Sequence, residues 1–300
     1  MLEIIWLVFL FLVSFYVLLK SSDVFTESAE DIGLWLKISP FVVGVTIVAF
    51  GTSLPELISS IFAIWSGAPQ IVAGNAIGSN VANILLVLGV SAVVAGKLVL
   101  KQKLRFLVFS TIFIILTCID GEFTRIEALI GVLLLIYYIW TLRPVADSSS
   151  KHVLAKNTIL YFVLSGIGVF IGAKYVVDSL LGFAAVFSID AGVLAAILLA
   201  IGTSLPELSV SLVALKKKKG EMAIGNILGS NIFNAAMVLG LPGLFVVLPV
   251  VPAVLYVMVP ALLISTALLV LFARDHTISR REGIIFLLLY VAVIILTFLF

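Results

Sequence analysis

The sequence is poor in charged residues and has almost no cysteine or histidine. Only 11% of its 300 residues are charged and 63% are hydrophobic, whereas soluble domains are about a quarter charged and half apolar. This composition excludes a water-soluble fold. The single cysteine, Cys118, excludes an intrachain disulfide and a cysteine-rich zinc or iron–sulfur site. His152 and His276 lie in short polar connectors, where we expect solvated side chains and not metal ligands.

The sequence also lacks the motifs of common enzyme classes. It contains no P-loop, no His/Cys cluster and no pattern that pairs a nucleophile with a base, so we expect no enzymatic activity. The connectors are too short to hold a domain for an obligatory protein partner. The four lysines at 216–219 are interpreted as an anchor for membrane topology, and no nucleic acid is expected to bind there.

Long hydrophobic runs, in contrast, fill the chain and predict membrane helices. Glu3 is present but no Lys or Arg precedes Lys20, so the first run is expected to be a retained helix and not a cleaved signal. Spans one and six can continue as long tilted helices, because residues 23–37 and 174–190 stay fairly apolar. The fold class predicted is an all-α polytopic membrane protein with ten transmembrane helices. The predicted spans are 2–21, 36–65, 71–95, 104–121, 126–143, 157–176, 187–215, 222–247, 250–273 and 283–300.

The basic residues predict an orientation. With ten spans, sixteen of the 18 Lys and Arg residues fall in the odd-numbered connectors, and only Arg125 and Lys174 lie on the other side. Because basic residues concentrate in cytoplasmic loops, both termini are predicted to be extracytoplasmic. We expect a multi-pass protein of the cell membrane, with the lipid bilayer as its environment.

The chain contains an internal repeat. The segment Gly-Thr-Ser-Leu-Pro-Glu-Leu at residues 51–57 recurs unchanged at 202–208, an offset of 151 residues. The same offset aligns a second motif, Gly-Asn-x-x-Gly-Ser-Asn-x-x-Asn, at 74–83 and 225–234. Each half therefore holds five spans, and an odd number inverts the second copy relative to the membrane. Residues 1–150 and 151–300 are predicted to be inverted repeats within one integrated transmembrane domain.

Two acidic residues fall near the middle of apolar spans, Glu56 and Glu207. An intramembrane carboxylate is costly unless it is neutralised, and this makes both glutamates functional candidates. Pro55 and Pro206 precede them and are expected to break each helix, which would free carbonyl oxygens nearby. The neighbouring hydroxyls belong to Thr52, Ser53, Thr203 and Ser204. Hard cations prefer such oxygen cages; a protonated glutamate that bridges two helices is the alternative.

The second motif offers further oxygen ligands on the following span. Ser79 and Asn83 are four residues apart and therefore share a helix face, as do Ser230 and Asn234. They can complete the cage, although asparagine can also serve helix packing. Two ionised glutamates would be balanced by one divalent cation, two monovalent cations or two protons. Because an empty site of charge −2 is expensive to occlude, obligatory exchange is expected in place of leak.

The paired motifs resemble the α-repeats of the sodium/calcium exchanger family, within the cation/calcium antiporter superfamily, and the resemblance covers essentially the whole chain. It implies that Glu56 and Glu207 are the central Ca²⁺ and Na⁺ ligands, with the hydroxyl and amide residues of both motifs lining the site. It also implies that two backbone carbonyls, those of Ala49 and Ala200, contribute, and that helices one and six form a sliding gate. No cofactor is expected beyond the transported ions.

One position departs from some relatives. Several exchangers have an aspartate where this sequence has Asn234, so the site here lacks a third acid, which argues against potassium dependence. The motif Gly-Thr-Ser-Leu-Pro favours Na⁺ as the counter-ion. The resemblance therefore implies a secondary active antiporter that exchanges Ca²⁺ for Na⁺ by alternating access. A proton-coupled cation exchanger remains an alternative, because desolvation can raise the pKa of a glutamate, and a passive cation channel is a second one.

Overall fold

The structure, a computed structural model, describes residues 2–65, 67–100, 102, 104–142, 153–186 and 204–299. Its described residues are mostly helical. The helices, numbered α1 to α10 in chain order, are Leu2–Leu36, Pro40–Trp65, Gln70–Ala95, Arg105–Cys118, Arg125–Thr141, Thr158–Val186, Leu205–Lys216, Gly220–Gly243, Val254–Asp275 and Arg280–Leu299.

Each of these helices overlaps one of the predicted spans. The expectation that the first and sixth would run on is confirmed: α1 continues to Leu36 and α6 to Val186. The predicted span 187–215 is described only in its C-terminal part, because residues 187–203 lie outside the described residues. Six described helices are long and apolar enough to cross a membrane: α1, α2, α3, α8, α9 and the first part of α6.

The predicted break at Pro55 is wrong. Helix α2 passes through Pro55 without interruption. Proline still removes one donor, so the carbonyl of Gly51 loses its usual intrahelical partner. The irregular stretch lies about two turns earlier instead, where Gly44–Val48 forms a π-helical segment. Around Pro206 the structure begins at Ser204, and α7 starts at Leu205 with that proline in its first turn.

Two short antiparallel ribbons, which the all-helical prediction did not include, join connectors from the two halves. Strand β1 (Lys97–Val99) pairs with β4 (Thr277–Ser279), and β2 (Glu122–Phe123) pairs with β3 (Leu248–Pro249). Each ribbon therefore combines a strand from residues 1–150 with one from 151–300. Through the ribbons, backbone hydrogen bonds link the halves at two places outside the helices.

The helices form two hydrophobic clusters. The buried residues of the main core come from α2 to α5, α8 to α10 and the ribbons; Leu208 and Leu215 of α7 pack against it, and none of its described members belongs to α1 or α6. Helices α1 and α6 pack against each other: Phe25 stacks on Phe162 with ring centroids 4.6 Å apart, and a Cβ at Gly172 would lie 2.7 Å from the backbone nitrogen of Leu18. Their second cluster also includes Val210 and Met222.

The outer surface is apolar, as a bilayer requires. Large hydrophobic side chains such as Phe9, Phe62 and Leu288 are more than half exposed. Trp65 and Trp140 are about three-quarters exposed near the ends of α2 and α5, the positions that tryptophan favours at a membrane interface. Cys118, in contrast, is fully buried and serves packing.

Candidate cation site

Two glutamates are buried among polar residues of α2, α3, α7 and α8, which we call the polar cluster. Glu56 lies on α2 and is 1% exposed, and Glu207 lies in the first turn of α7 and is 0% exposed. Since no lysine or arginine is paired with either of them among the described residues, the negative charge must be balanced by something other than a basic side chain.

Residues of the two halves meet directly at this cluster. The Ser53 hydroxyl, from the first half, donates to Glu207 Oε1 at 3.1 Å. The Thr52 hydroxyl lies 3.4 Å from Ser230 Oγ and 3.0 Å from Asn226 Oδ1. The structure thus brings together residues that the sequence separates by about half its length.

Several polar atoms of the cluster are buried and have no hydrogen-bond partner among the described residues. Unpartnered buried polar atoms are rare in folded proteins, and a group of them in one place calls for a ligand or ordered water. They are both carboxylate oxygens of Glu56, Oε2 of Glu207, the hydroxyls of Ser79 and Ser204, and the amide groups of Asn83 and Asn234.

Asn83 and Asn234 lie at equivalent irregularities of their helices. A π-helical segment begins at Asn83 in α3 and another begins at Asn234 in α8. The segment from Asn83 contacts α7, which carries Glu207, and the segment from Asn234 contacts α2, which carries Glu56. In each half, the segment that begins with this asparagine therefore packs against the glutamate helix of the other half. Single-turn π segments of this kind are frequent at functional sites.

The remaining predicted residues divide into two groups. Ala49 is at the site, because its carbonyl lies 3.3 Å from the Thr52 hydroxyl that donates to it. Thr203 and Ala200 lie outside the described residues, and their predicted roles stay predictions.

Two further asparagines contact the glutamate helices. Asn75 Nδ2 donates to the Glu56 carbonyl and to Ser60 Oγ, both at 3.0 Å. Asn226 Nδ2 donates to the Glu207 carbonyl at 3.3 Å and to Ser211 Oγ at 3.0 Å. The sequence reasoning did not include these asparagines among the candidate site residues. The sequence did contain a signal for them, because asparagine occupies this position in both copies of the second motif.

The chemistry of the cluster suits hard cations. Carboxylate, hydroxyl, amide and main-chain oxygens are the ligands that Ca²⁺ prefers, and neither thiolate nor imidazole is present among the site residues described above. The described residues contain no group of three or more acidic, histidine or cysteine side chains that could hold a metal. A cation here would therefore be held by two acids and by neutral oxygens.

The fold and the cluster define a class: a helical membrane protein whose buried polar centre can hold hard cations. Comparison with known families gives the next step. The model described as sodium/calcium exchanger protein matches residues 6–143 and 157–299. The chain belongs to the sodium/calcium exchanger family, which is a family of transporters and not of enzymes.

Individual relatives cover nearly the full length. The chain is 33% identical to the sodium/calcium exchanger MaX1 of Methanosarcina acetivorans, over 94% of this chain and 95% of that protein. It is 37% identical to membrane protein MJ0091 of Methanocaldococcus jannaschii, over 95% of each. Among solved structures, the sodium-calcium exchanger NCX_Mj superposes with a TM-score of 0.84 at 37% identity, covering 98% of this chain and 99% of that one.

Proposed function

We propose that this protein is a secondary active antiporter that exchanges Ca²⁺ for Na⁺ across the membrane by alternating access. The observation that carries the proposal is the cluster of buried, unpartnered oxygens around Glu56 and Glu207. Leaving two buried carboxylates without cationic partners costs several kcal/mol. One Ca²⁺ or two Na⁺ would neutralise both charges and supply the missing partners. Similarity to MaX1 and to NCX_Mj, which has been studied with Na⁺ and Ca²⁺, supports the same ions.

The proposed ligands are the residues that the repeated motifs select. Glu56 and Glu207 would bind each ion directly. The neutral oxygens would come from Thr52, Ser53, Ser79, Asn83, Thr203, Ser204, Ser230 and Asn234, and from the carbonyls of Ala49 and Ala200.

The proposed architecture is ten transmembrane helices in two inverted five-helix repeats, residues 1–150 and 151–300. Pairs of contacts related by the repeat offset support it. The bonds of Asn75 to Glu56 and Ser60 have counterparts at Asn226, Glu207 and Ser211, each 151 residues later. Among the ribbon strands, shifting β1 by 151 residues reaches β3, whereas shifting β2 by the same offset ends a few residues before β4. Reciprocal pairing of this kind is expected from a two-fold axis between the repeats.

The proposed orientation puts both termini outside the cell membrane. The distribution of basic residues carries the choice of side, and contacts between connectors support the alternation of sides, because each contact joins connectors predicted to lie on the same side. The β1–β4 ribbon joins the third and ninth connectors. The β2–β3 ribbon and the bond from Arg125 to the Phe245 carbonyl join the fourth and eighth. Lys217, in the seventh connector, pairs with Asp23 where α1 extends into the first.

The proposed moving elements are α1 and α6. They pack against each other and stand outside the main core, so they can shift as a pair while the ribbons and the other helices keep their contacts. Movement would follow ion loading, because the unloaded site carries uncompensated charge. Ca²⁺ and Na⁺ are the substrates, the bilayer is the environment, and we propose neither a resident cofactor nor an obligatory protein partner.

The test is ion replacement in reconstituted vesicles. Vesicles loaded with Na⁺ should accumulate Ca²⁺ only when the Na⁺ gradient points outward, and Glu56→Gln or Glu207→Gln should abolish uptake. Uptake driven by a pH gradient in Na⁺-free buffer would identify protons as the counter-ion and contradict the proposal. Ca²⁺ flux that is indifferent to every counter-ion would indicate a channel and would also contradict it.

A further inference from the structure

Asn226 is a buried residue that touches both halves of the site and is not one of the proposed ligands. It lies on α8 and is 0% exposed. Its Nδ2 donates to the Glu207 carbonyl and to Ser211 Oγ on α7. Its Oδ1 lies 3.0 Å from the Thr52 hydroxyl on α2. One amide group thus connects the helix turn of one glutamate with a hydroxyl from the other half.

The partners of Asn226 fix which way its amide points. A main-chain carbonyl can only accept a hydrogen bond, so the atom next to the Glu207 carbonyl must be the donor Nδ2. The atom next to Thr52 is therefore the acceptor Oδ1, and Thr52 must supply the proton. The orientation of the amide follows from chemistry and does not depend on distinguishing nitrogen from oxygen.

The direction of this bond matters for cation binding. A hydroxyl group has one proton and two acceptor lone pairs, and it can coordinate a cation only when the proton points away. The Thr52 proton has three acceptors within reach: Asn226 Oδ1 at 3.0 Å, the Ala49 carbonyl at 3.3 Å and Ser230 Oγ at 3.4 Å. When Asn226 takes the proton, both the Thr52 lone pairs and the Ala49 carbonyl stay free for the ion.

We propose that Asn226 is a positioning residue that orients the Thr52 hydroxyl for cation binding and links this orientation to the turn that carries Glu207. Without Asn226, the Thr52 proton turns to the Ala49 carbonyl or to Ser230 Oγ, and in either case both Thr52 and the oxygen that accepts its proton become poorer ligands. This inference rests on the proposed transport of Ca²⁺ by the same site. It predicts that Asn226 acts on ion affinity through Thr52.

The experiment is a double-mutant cycle with Ca²⁺ binding measured by calorimetry on the purified full-length protein. Asn226→Ala should raise the Ca²⁺ concentration for half-saturation about 10-fold, the effect of one lost buried hydrogen bond. In a Thr52→Val background the same change should alter it less than about 2-fold, because the hydroxyl that it orients is already gone. Ser211→Ala is the matched control: it removes the other acceptor of Nδ2, and should leave half-saturation within about 2-fold.

Asn226→Asp separates orientation from mere packing. A carboxylate accepts from Thr52 but cannot donate to the Glu207 carbonyl. If Asn226 orients Thr52, the Asp variant should bind Ca²⁺ more tightly than the Ala variant, and this advantage should be smaller in the Thr52→Val background, where only the added charge remains. An advantage of the same size with and without the hydroxyl would be a charge effect alone and would overturn the inference. Additive effects of Asn226→Ala and Thr52→Val, or an unchanged affinity in Asn226→Ala, would also overturn it.

Different results would contradict the proposed function and the proposed role of Asn226. If the wild-type protein shows no Na⁺-driven Ca²⁺ uptake in vesicles, the proposed function is wrong. If the wild type transports and the cycle is additive, the function stands and the role of Asn226 is wrong. Should Asn226→Ala not fold, the Asp variant and its Thr52→Val partner supply the same comparison against wild type and against Thr52→Val alone.

Discussion

Lys217 Nζ lies 2.6 Å from Asp23 Oδ1 and 2.7 Å from Glu27 Oε1, so one lysine at the end of α7 holds two acids on α1. Lys219 pairs in the same way with Glu30, the next acid along that face of α1. Burial alone would lower the pKa of Lys217, but the bonds to Asp23 and Glu27 outweigh it and the pKa is raised. The lysine run is thus more than the topology anchor that the sequence suggested.

Lys217→Gln is expected to weaken the attachment of α1 only slightly. The acids are well exposed, and exposed ion pairs contribute about 0.2–1 kcal/mol each. The melting temperature in detergent should fall by a few degrees at most, and the difference should disappear near 1 M salt, where the Debye length is about 3 Å. Lys218→Gln is the matched control, since Lys218 is exposed and forms no ion pair with the described residues. Equal losses in the two variants would contradict the assignment.

Glu56→Gln is expected to separate stability from binding. Both oxygens of this carboxylate are buried and lack partners among the described residues, and a neutral amide is cheaper to bury than a charge. In ion-free buffer the free energy of unfolding of the variant should exceed that of the wild type by ~1–2 kcal/mol. Ca²⁺ should stabilise the wild type, by about 2.7 kcal/mol at 100 times its dissociation constant.

The measurement is thermal unfolding over a Ca²⁺ series. The variant should start at a higher melting temperature and show no rise with Ca²⁺. Glu56→Asp is the control that keeps the charge, and it should retain a Ca²⁺-dependent rise. A Ca²⁺ response in Glu56→Gln equal to that of the wild type would mean that the ion binds elsewhere.

Asn234→Asp is expected to change the number of Na⁺ ions that bind. The substitution adds a third buried acid beside Glu56 and Glu207, and a further negative charge requires a further monovalent cation for neutrality. Na⁺ inhibition of Ca²⁺ uptake should become steeper by about one ion in its Hill coefficient. Asn83→Asp, at the equivalent π segment of the first half, should produce a similar change. An unchanged Hill coefficient in both variants would place these asparagines outside the ion sites.

Gly229→Ala is expected to damage packing between the halves. A Cβ at this position would lie 2.6 Å from the Cα and the carbonyl oxygen of Val45 and 2.7 Å from Ala49 Cβ. Because backbone atoms cannot move aside easily, the cost should be about 1–3 kcal/mol. Gly220→Ala, whose nearest described neighbour would be a leucine methyl at 3.9 Å, should be tolerated. Fluorescence-detected gel filtration after heating would compare the two, and a lower melting temperature for Gly220→Ala would be the contrary result.

Much of the helical layout was predictable because composition and periodic apolar runs determine where helices form in a bilayer. The repeated motifs also identified Glu56 and Glu207, since an acid in an apolar span has few structural explanations. The course of α2 through Pro55 was not predictable, because α2 packs against α8 and such tertiary contacts are invisible in the sequence around the proline. Local rules describe what proline disfavours and do not describe how neighbours compensate.

The second set of asparagines was missed for a different reason. Asn75 and Asn226 were visible in the motif, but a hydrogen bond to the carbonyl of a glutamate requires knowing which helix turns lie side by side. Sequence spacing gives the face of one helix only. The ribbons were missed because two- or three-residue strands leave no periodic signal, and their partners lie more than 120 residues away in the chain.

The α1–α6 pair lies outside the main core, so the division of the chain into two repeats does not coincide with its division into two packing clusters. Duplication divides the protein end to end at its midpoint, yet the pair takes its first helix from one copy and its second from the other. If these two helices move as proposed, each half of the chain would supply one of the two moving helices, and opening to either side of the membrane would use structurally equivalent elements.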